Sequence, residues 1–279
     1  MQRVKLRVSP SRWFAWTLGL SGWLLVQGAV AQSGKTARQI VEAMVAQEEI
    51  AEKSPRMFLY VSEERSERTG GHLWTERVAE TKAGKIRMLI AEDGQALNSE
   101  RVAPERTRLK DIADHPQSFE KSAAALKNDE KHAREMLSML PKAFLLEGMR
   151  EDGGYLRIDF RPDPSYAPQS LEERVIHGMT GSMLLDEKTT RLHRIEARLP
   201  ADVSIGFGLL ATIHAGSNFS TTRSPVVADE WKTVALDTDI SGRIIFLKSI
   251  AKKQHAIHRD FKRLPDSISV QQAVAELLK

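Results

Sequence analysis

The chain has 279 residues, with 41 Lys and Arg against 37 Asp and Glu, and it contains no cysteine. This length allows one large hydrophobic core or two small ones. The absence of cysteine excludes disulfide bonds, a cysteine nucleophile and the acylated cysteine of a lipoprotein.

Residues 1–31 have the pattern of a secretory signal peptide. Four basic residues precede an apolar run over 13–26, and the small residues Ala29-Val30-Ala31 follow it. This order predicts export and cleavage after Ala31. An uncleaved anchor is the alternative, but the apolar run is short for a membrane span.

Cleavage would remove the whole excess of positive charge. The segment 1–31 holds four basic and no acidic residues, so the remaining chain has equal numbers of each. A neutral chain gives no reason to expect binding to nucleic acid. Export without cysteine predicts a periplasmic protein, with no stable membrane span once the segment is removed.

After the export segment, the pattern predicts a helix followed by an antiparallel meander. A capping box and helical spacing of apolar residues predict a helix over 36–50, which ends before Pro55. Alternating apolar residues, separated by glycine-containing turns, predict three strands at 57–63, 73–80 and 86–92.

Residues 99–141 are crowded with charge and predict a helical insertion. Pro104 and Pro116 should divide it, and apolar spacing predicts one amphipathic helix over 118–140. We expect the charged side of this helix to face solvent. A mobile lid over a cavity is the alternative.

Strand patterns dominate the second half of the chain. Residues 203–219 alternate most clearly and predict one long strand, in which Gly206 and Gly208 would bend the sheet. The remaining predicted elements are strands at 155–160, 181–186, 192–199, 231–239 and 243–251, the last two joined by a turn at 240–242, and a short amphipathic helix within 266–279.

These elements predict an α+β fold, built as a strongly curved antiparallel sheet in the form of an open half-barrel with helices over its concave face. A single domain would cover residues 32–265 and include the insertion. The C-terminal helix would follow it.

No local motif for catalysis is present: the chain lacks a Gly-x-Ser-x-Gly elbow, a phosphate-binding loop and a His-Glu-x-x-His helix. His255, His258 and Asp260 could bind Zn²⁺ if they shared a helix face, but the missing further ligands favour a surface segment. We therefore predict no catalytic residue, no metal and no cofactor. An enzyme would need Asp159 and His214 to meet another acid in a cleft.

Three short motifs carry a family resemblance: Glu92-Asp93-Gly94, the run 153–162, and 181–186 followed by Arg191-Leu192. Together with the export segment and the opening helix, they resemble the periplasmic lipoprotein-carrier superfamily, the group of LolA, LolB and the amino-terminal domain of RseB. The resemblance covers most of residues 36–250. It implies an open curved sheet with helices as a lid, which binds lipid chains without chemistry.

The predicted function is a non-enzymatic periplasmic carrier or binding protein for the acyl chains of a lipid or lipoprotein. Burial of each methylene would contribute about 0.8 kcal/mol. The alternatives are a protein-binding or sensor module that uses the same sheet for an envelope partner, and an envelope hydrolase. The residues predicted to line the apolar chamber are Leu156, Ile158, Phe160, Val203, Ile205, Phe207, Leu209 and Ile213.

Overall fold

The computed structural model describes residues 35–53, 55–205, 211–227, 229–244 and 247–279, which leaves the predicted export segment outside the described residues. The helices are α1 (Ala37–Lys53), α2 (Ser99–Asp114), α3 (Pro116–Ala143), α4 (Leu171–His177) and α5 (Val270–Leu278), with a 3-10 turn at Glu67–Thr69. The strands are β1 (Phe58–Ser66), β2 (Leu73–Glu80), β3 (Lys85–Glu92), β4 (Gln95–Ala96), β5 (Phe144–Asp152), β6 (Tyr155–Pro162), β7 (Thr180–Asp186), β8 (Leu192–Arg198), β9 (Val203–Ile205), β10 (Ala211–Ile213), β11 (Asn218–Val227), β12 (Glu230–Ile244) and β13 (Leu247–Arg263).

All the strands belong to one antiparallel sheet, which confirms the predicted α+β class. The order along the sheet is β4-β3-β2-β1-β13-β12-β11-β8-β7-β6-β5, and β10 pairs with β12 and β9. The sheet is open, since β4 and β5 form its two ends. The last strand, β13, lies between β1 and β12 and joins the two halves of the chain.

Irregular pairing bends this sheet. Register shifts occur where β1 meets β13, β2 meets β3, β5 meets β6, β7 meets β8, β11 meets β12 and β12 meets β13. Asp260 lies at the first of these irregularities, with a left-handed φ of 60°. Each extra residue in a strand increases the local twist and bend.

Helices pack on both faces of the sheet. Leu59 in β1 belongs to an apolar cluster with α2 and α5, whereas Ile195 in β8 belongs to a cluster with α1. Pairing from β1 through β13, β12 and β11 to β8 places Leu59 on the same face as Glu196, and therefore opposite Ile195. We call the face that carries Leu59 the α5 face and the face that carries Ile195 the α1 face. The predicted helical cover corresponds to α1 and the end of α3, and the structure adds α2 and α5 on the opposite face.

Each face has its own buried apolar cluster. The α1-face cluster consists of Val41, Met44, Met139, Leu140, Ala143, Phe144, Ile158, Phe160, Met179, Met183, Leu185, Leu192, Ile195, Ala197, Leu199 and Ile213. The α5-face cluster consists of Met57, Leu59, Ala79, Ile86, Met88, Leu109, Leu264, Ile268, Val270, Ala273, Val274 and Leu277.

Local hydrogen bonds define both ends of α5. The Ser269 hydroxyl accepts from the Gln272 amide at 3.2 Å, and the Gln272 side chain accepts from the Ser269 amide at 3.0 Å. This capping box satisfies two amide donors at the start of the helix. At its end, Arg77 donates to the carbonyls of Leu277 and Glu276 at 2.8 and 3.0 Å. A cationic side chain is favourable there because the carboxyl-terminal end of a helix carries the negative end of the helix dipole.

The prediction of one strand over 203–219 is wrong. Strands β9 and β10 pair antiparallel, with Ala211 opposite Ile205, so the chain reverses between them. Gly206 and Gly208 fall within this connection and outside the described residues. The last two residues of the predicted strand, 218 and 219, belong to β11, which begins at Asn218.

The predicted turn at 240–242 is also wrong, because β12 continues through it to Ile244. Gly242 is a site of close approach. A Cβ atom there would lie 2.6 Å from the Thr212 carbonyl oxygen and 2.8 Å from Ile213. Ile240 packs against the α1-face cluster, so this part of β12 is held in the sheet by its neighbours.

In the charged insertion, Pro116 divides two helices as predicted, but Pro104 does not end a helix. Pro104 lies inside α2, whereas Pro116 occupies the first turn of α3. Pro104 follows the start of α2 by one and a half turns, so it removes a single amide donor near an exposed helix end. The predicted helix over 118–140 is confirmed within the longer α3.

Candidate functional site

The structure brings five of the eight predicted lining residues together on the α1 face. Ile158, Phe160 and Ile213 are core members of the α1-face cluster, with exposed fractions of 0%, 5% and 9%. Leu156 and Val203 pack against it and are partly buried. Phe207, Leu209 and the side chain of Ile205 lie outside the described residues, so their predicted role stays a prediction.

Two strand arrangements produce this convergence. In β6, alternation directs Leu156, Ile158 and Phe160 to the α1 face. The reversal between β9 and β10 places Val203 directly opposite Ile213.

Helices α1 and α3 cover these side chains. Val41 and Met44 of α1 are fully buried in the cluster, and Leu140 and Ala143 at the end of α3 join them. The predicted lining residues therefore face helices of the same chain, and a guest molecule would have to displace helical side chains.

The α1-face cluster beneath these helices is rich in methionine. Met44, Met139, Met179 and Met183 all belong to the α1-face cluster. Methionine is unbranched and polarizable, so it fills irregular space and repacks more easily than a branched side chain. This composition suits a core that changes shape around a ligand.

A buried ion cluster fastens α1 to the sheet. The Glu48 carboxylate accepts from Arg191 Nε at 2.9 Å and Nη2 at 3.2 Å, and it also accepts from Arg223 Nη1. Burial opposes ionisation of Glu48, but Arg191 and Arg223 together outweigh it and hold the pKa of Glu48 below its ordinary value. Arg38 of α1 donates to the carbonyl of Pro141, which connects α1 to the end of α3.

The α5 face of β6, β7, β8 and β11 carries an open groove of about 580 Å³. No helix element of the described part of the chain contributes a residue to its lining. The lining residues are Arg157, Phe160, Thr180, Gly181, Ser182, Arg194, Glu196, Ala197, Arg198, Asn218, Phe219 and Ser220. The sequence reasoning missed this groove, although alternation in β8 puts Arg194, Glu196 and Arg198 on one face.

A second buried ion cluster lies on the α1 face of β1, β2 and β3. Arg68 donates to Glu64 at 2.8 Å and to Glu76 at 2.6 Å, and Arg87 donates to Glu76 at 3.0 Å. Burial lowers the pKa of Arg68, but the bonds to Glu76 and Glu64 raise it overall. Two carboxylates balance two guanidinium groups, so the cluster is a structural link between strands.

The residues named for an enzymatic alternative make separate contacts. Asp159 accepts from Arg150 at 2.7 Å and from Arg157 at 3.1 Å. His214 lies 3.5 Å from Asp202. The geometry thus gives each residue a local ion-pairing partner.

The three candidate zinc ligands lie in strand β13 and not on a helix, so the two histidines do not share a face. Residues three apart on a regular strand point to opposite faces. His255 contacts Asp237 on the α5 face, while His258 is bonded to the Thr233 carbonyl at 3.0 Å. Within the described ranges, no group of three or more His, Cys, Asp or Glu side chains is arranged to hold a metal ion.

Comparison with known proteins gives one structural likeness. No protein-family model matches the chain, and no curated protein matches it. The chain is similar to a crystal structure described as a "putative outer membrane lipoprotein-sorting protein domain" from Vibrio parahaemolyticus, with 9% identity and a TM-score of 0.31 over 82% of this chain and 93% of that one.

Among the described residues, no helix combines the length and apolar character required to cross a bilayer.

Proposed function

We propose that the protein is a non-enzymatic periplasmic carrier that holds the acyl chains of a lipid or lipoprotein between the α1 face of the sheet and helices α1 and α3. The observation that supports this proposal is the convergence of Leu156, Ile158, Phe160, Val203 and Ile213 in one apolar layer beneath those helices. The interaction needs no catalytic group, because it depends on removing the acyl chain from water.

Binding would exchange one set of apolar contacts for another. An acyl chain that enters the layer gains about 0.8 kcal/mol for each buried methylene. The side chains of α1 or α3 must move aside, and the four methionines of the cluster allow them to repack at low cost. The Glu48 ion cluster would keep α1 attached while the end of α3 moves.

Entry at the partly exposed rim offers a test that leaves the buried core intact. Leu156 packs against the α1-face cluster, and Leu278 has a matching position against the α5-face cluster. Leu156→Arg introduces a charge at the proposed entrance, while Leu278→Arg makes the same change at the other core. Circular dichroism would establish that both variants fold.

The experiment uses protein expressed from the full-length sequence and purified from the periplasmic fraction. Native mass spectrometry should detect a co-purified amphiphile on the wild type, and a fluorescent fatty acid should bind it. We expect Leu156→Arg to lose the probe and Leu278→Arg to retain it. If Leu156→Arg does not fold, Leu156→Ala should weaken probe binding several-fold.

Two results would overturn the proposal. One is a wild-type protein that carries no amphiphile and takes up no fatty acid. The other is equal loss of probe binding in the Leu156 and Leu278 variants, because the effect would then be unspecific.

A further inference from the structure

The groove on the α5 face has the composition of an anion-binding site. We propose that it binds a phosphate group, carried either by a small molecule or by a lipid headgroup. Its lining contains three arginines and one carboxylate, Glu196, and it also includes the hydroxyl and amide groups of Thr180, Ser182, Asn218 and Ser220. Arginine is suited to phosphate because its planar guanidinium offers paired donors.

The strand register brings the three arginines around one centre. Arg194 and Arg198 lie on the same face of β8, about 13 Å apart along the strand. Arg157 of β6 and Arg194 of β8 are both opposite Leu184 of β7, which places their backbones about 10 Å apart. Their long side chains can therefore approach one ligand from three sides.

The existing partners leave donors for a ligand. Arg157 donates its Nε to Asp159 at 3.1 Å, and its Nη1 lies 3.9 Å from Asp152. Arg194 donates its Nε to Glu196 at 3.1 Å, its Nη2 lies 3.1 Å from the same carboxylate, and its Nη1 is 3.5 Å from the Thr222 hydroxyl. Each guanidinium has five N–H donors, so these bonds occupy a part of them. Arg198 is exposed, and its guanidinium makes no hydrogen bond or ion pair with the other residues that the structure describes.

The polar side chains of this groove lie on the opposite face of the sheet from the proposed acyl-chain layer, although Phe160, Ala197 and Phe219, which belong to or pack against the α1-face cluster, also border the groove. In β6, Arg157 is on the α5 face, whereas Ile158 is on the α1 face. A ligand in the groove would thus lie on the opposite side of the strands from α1 and α3. The phosphate proposal is independent of the carrier proposal, and either can fail alone.

The test compares three variants of the protein, purified from the periplasmic fraction after expression of the full-length sequence. Arg198→Ala removes a groove arginine, Arg106→Ala removes an exposed arginine on α2, and Glu196→Gln removes the groove carboxylate. The probes are inorganic phosphate, measured by calorimetry, and vesicles of phosphatidylglycerol in phosphatidylcholine, measured by co-sedimentation against pure phosphatidylcholine vesicles.

We expect Arg198→Ala to weaken binding about tenfold, as for loss of one charged hydrogen bond. Arg106→Ala should leave binding unchanged, and Glu196→Gln should strengthen it because the groove becomes more positive. Added NaCl should weaken binding. Binding of free phosphate would identify a soluble ligand, and binding of the anionic vesicles alone would identify a lipid headgroup.

The proposal is overturned if neither probe binds at millimolar phosphate or at the vesicle concentrations used. Equal effects of Arg198→Ala and Arg106→Ala would also overturn it, since the attraction would then come from overall charge.

Discussion

Glu48 lies on the buried side of α1, where an unpaired carboxylate would be unstable. Its partners Arg191 and Arg223 are 143 and 175 residues away in the sequence. Nothing in the local pattern of α1 indicates them, because helical spacing predicts which side of the helix is buried but not what it meets. The two arginines become neighbours only when β8 pairs with β11.

We expect Glu48→Gln to lower the free energy of unfolding by about 3 kcal/mol at pH 7, because it leaves two arginines without their charged partner. Urea unfolding would measure this loss. Glu49→Gln is the matched control, since Glu49 is the exposed neighbour on the same helix. A similar loss in both variants would contradict the role assigned to the ion cluster.

The ionisation of Glu48 also predicts that the free energy of unfolding depends on pH. The pKa of Glu48 is lower in the folded than in the unfolded chain, so its stabilising contribution is present above the ordinary glutamate pKa. It is lost as the pH falls through the lower, folded-state value. Wild-type stability should therefore decrease on acidification more steeply than that of Glu48→Gln.

At the scale of elements, regular alternation predicts strands well and their connections poorly. The prediction for β2, 73–80, matches the observed strand. The run 203–219 fails for a geometric reason. Val203 pairs with Ile213, so odd-numbered residues on the two strands share a face before and after the reversal. A continuous strand and this hairpin therefore produce the same alternation.

The candidate site was predictable to a similar degree. Alternation correctly groups Ile158 with Phe160 on one face and would also group Arg194 with Arg198. The groove additionally needs β6, β7, β8 and β11 to be neighbours, and the pairing of β8 with β11 skips β9 and β10. That order depends on the whole sheet and has no local sequence signal.

Helix α5 offers a test of the second apolar layer. Leu277 is fully buried in the α5-face cluster, whereas Gln271 on the same helix is exposed. Leu277→Ala should lower the free energy of unfolding by about 3 kcal/mol, through lost burial and the cavity left behind. Thermal unfolding with Gln271→Ala as the control would measure it. Equal melting temperatures for the two variants would show that α5 does not stabilise the sheet.

For the molecule as a whole, the predicted export segment would determine both the location and the net charge of the mature chain. Mass spectrometry of protein from the periplasmic fraction should show a chain that begins at Gln32. Ala31→Asp should leave the precursor uncut, because the cleavage site requires small residues. Lys35→Asp, a charge change beyond that site, should be processed normally. A full-length wild-type chain retained in the membrane fraction would support the anchor instead.

Helix α3 reaches both apolar layers. Phe119 near its start packs against the α5-face cluster, and Leu140 near its end is part of the α1-face cluster. Its 28 residues form a rod about 42 Å long. A Cβ atom added at Gly84 would lie 2.8 Å from Ala123, so the first part of α3 packs closely against the turn between β2 and β3. If an acyl chain displaced the end of α3, as the carrier proposal requires, the contacts of Phe119 and Ala123 near the start of the helix would be strained, so binding on one face of the sheet would alter the packing on the other.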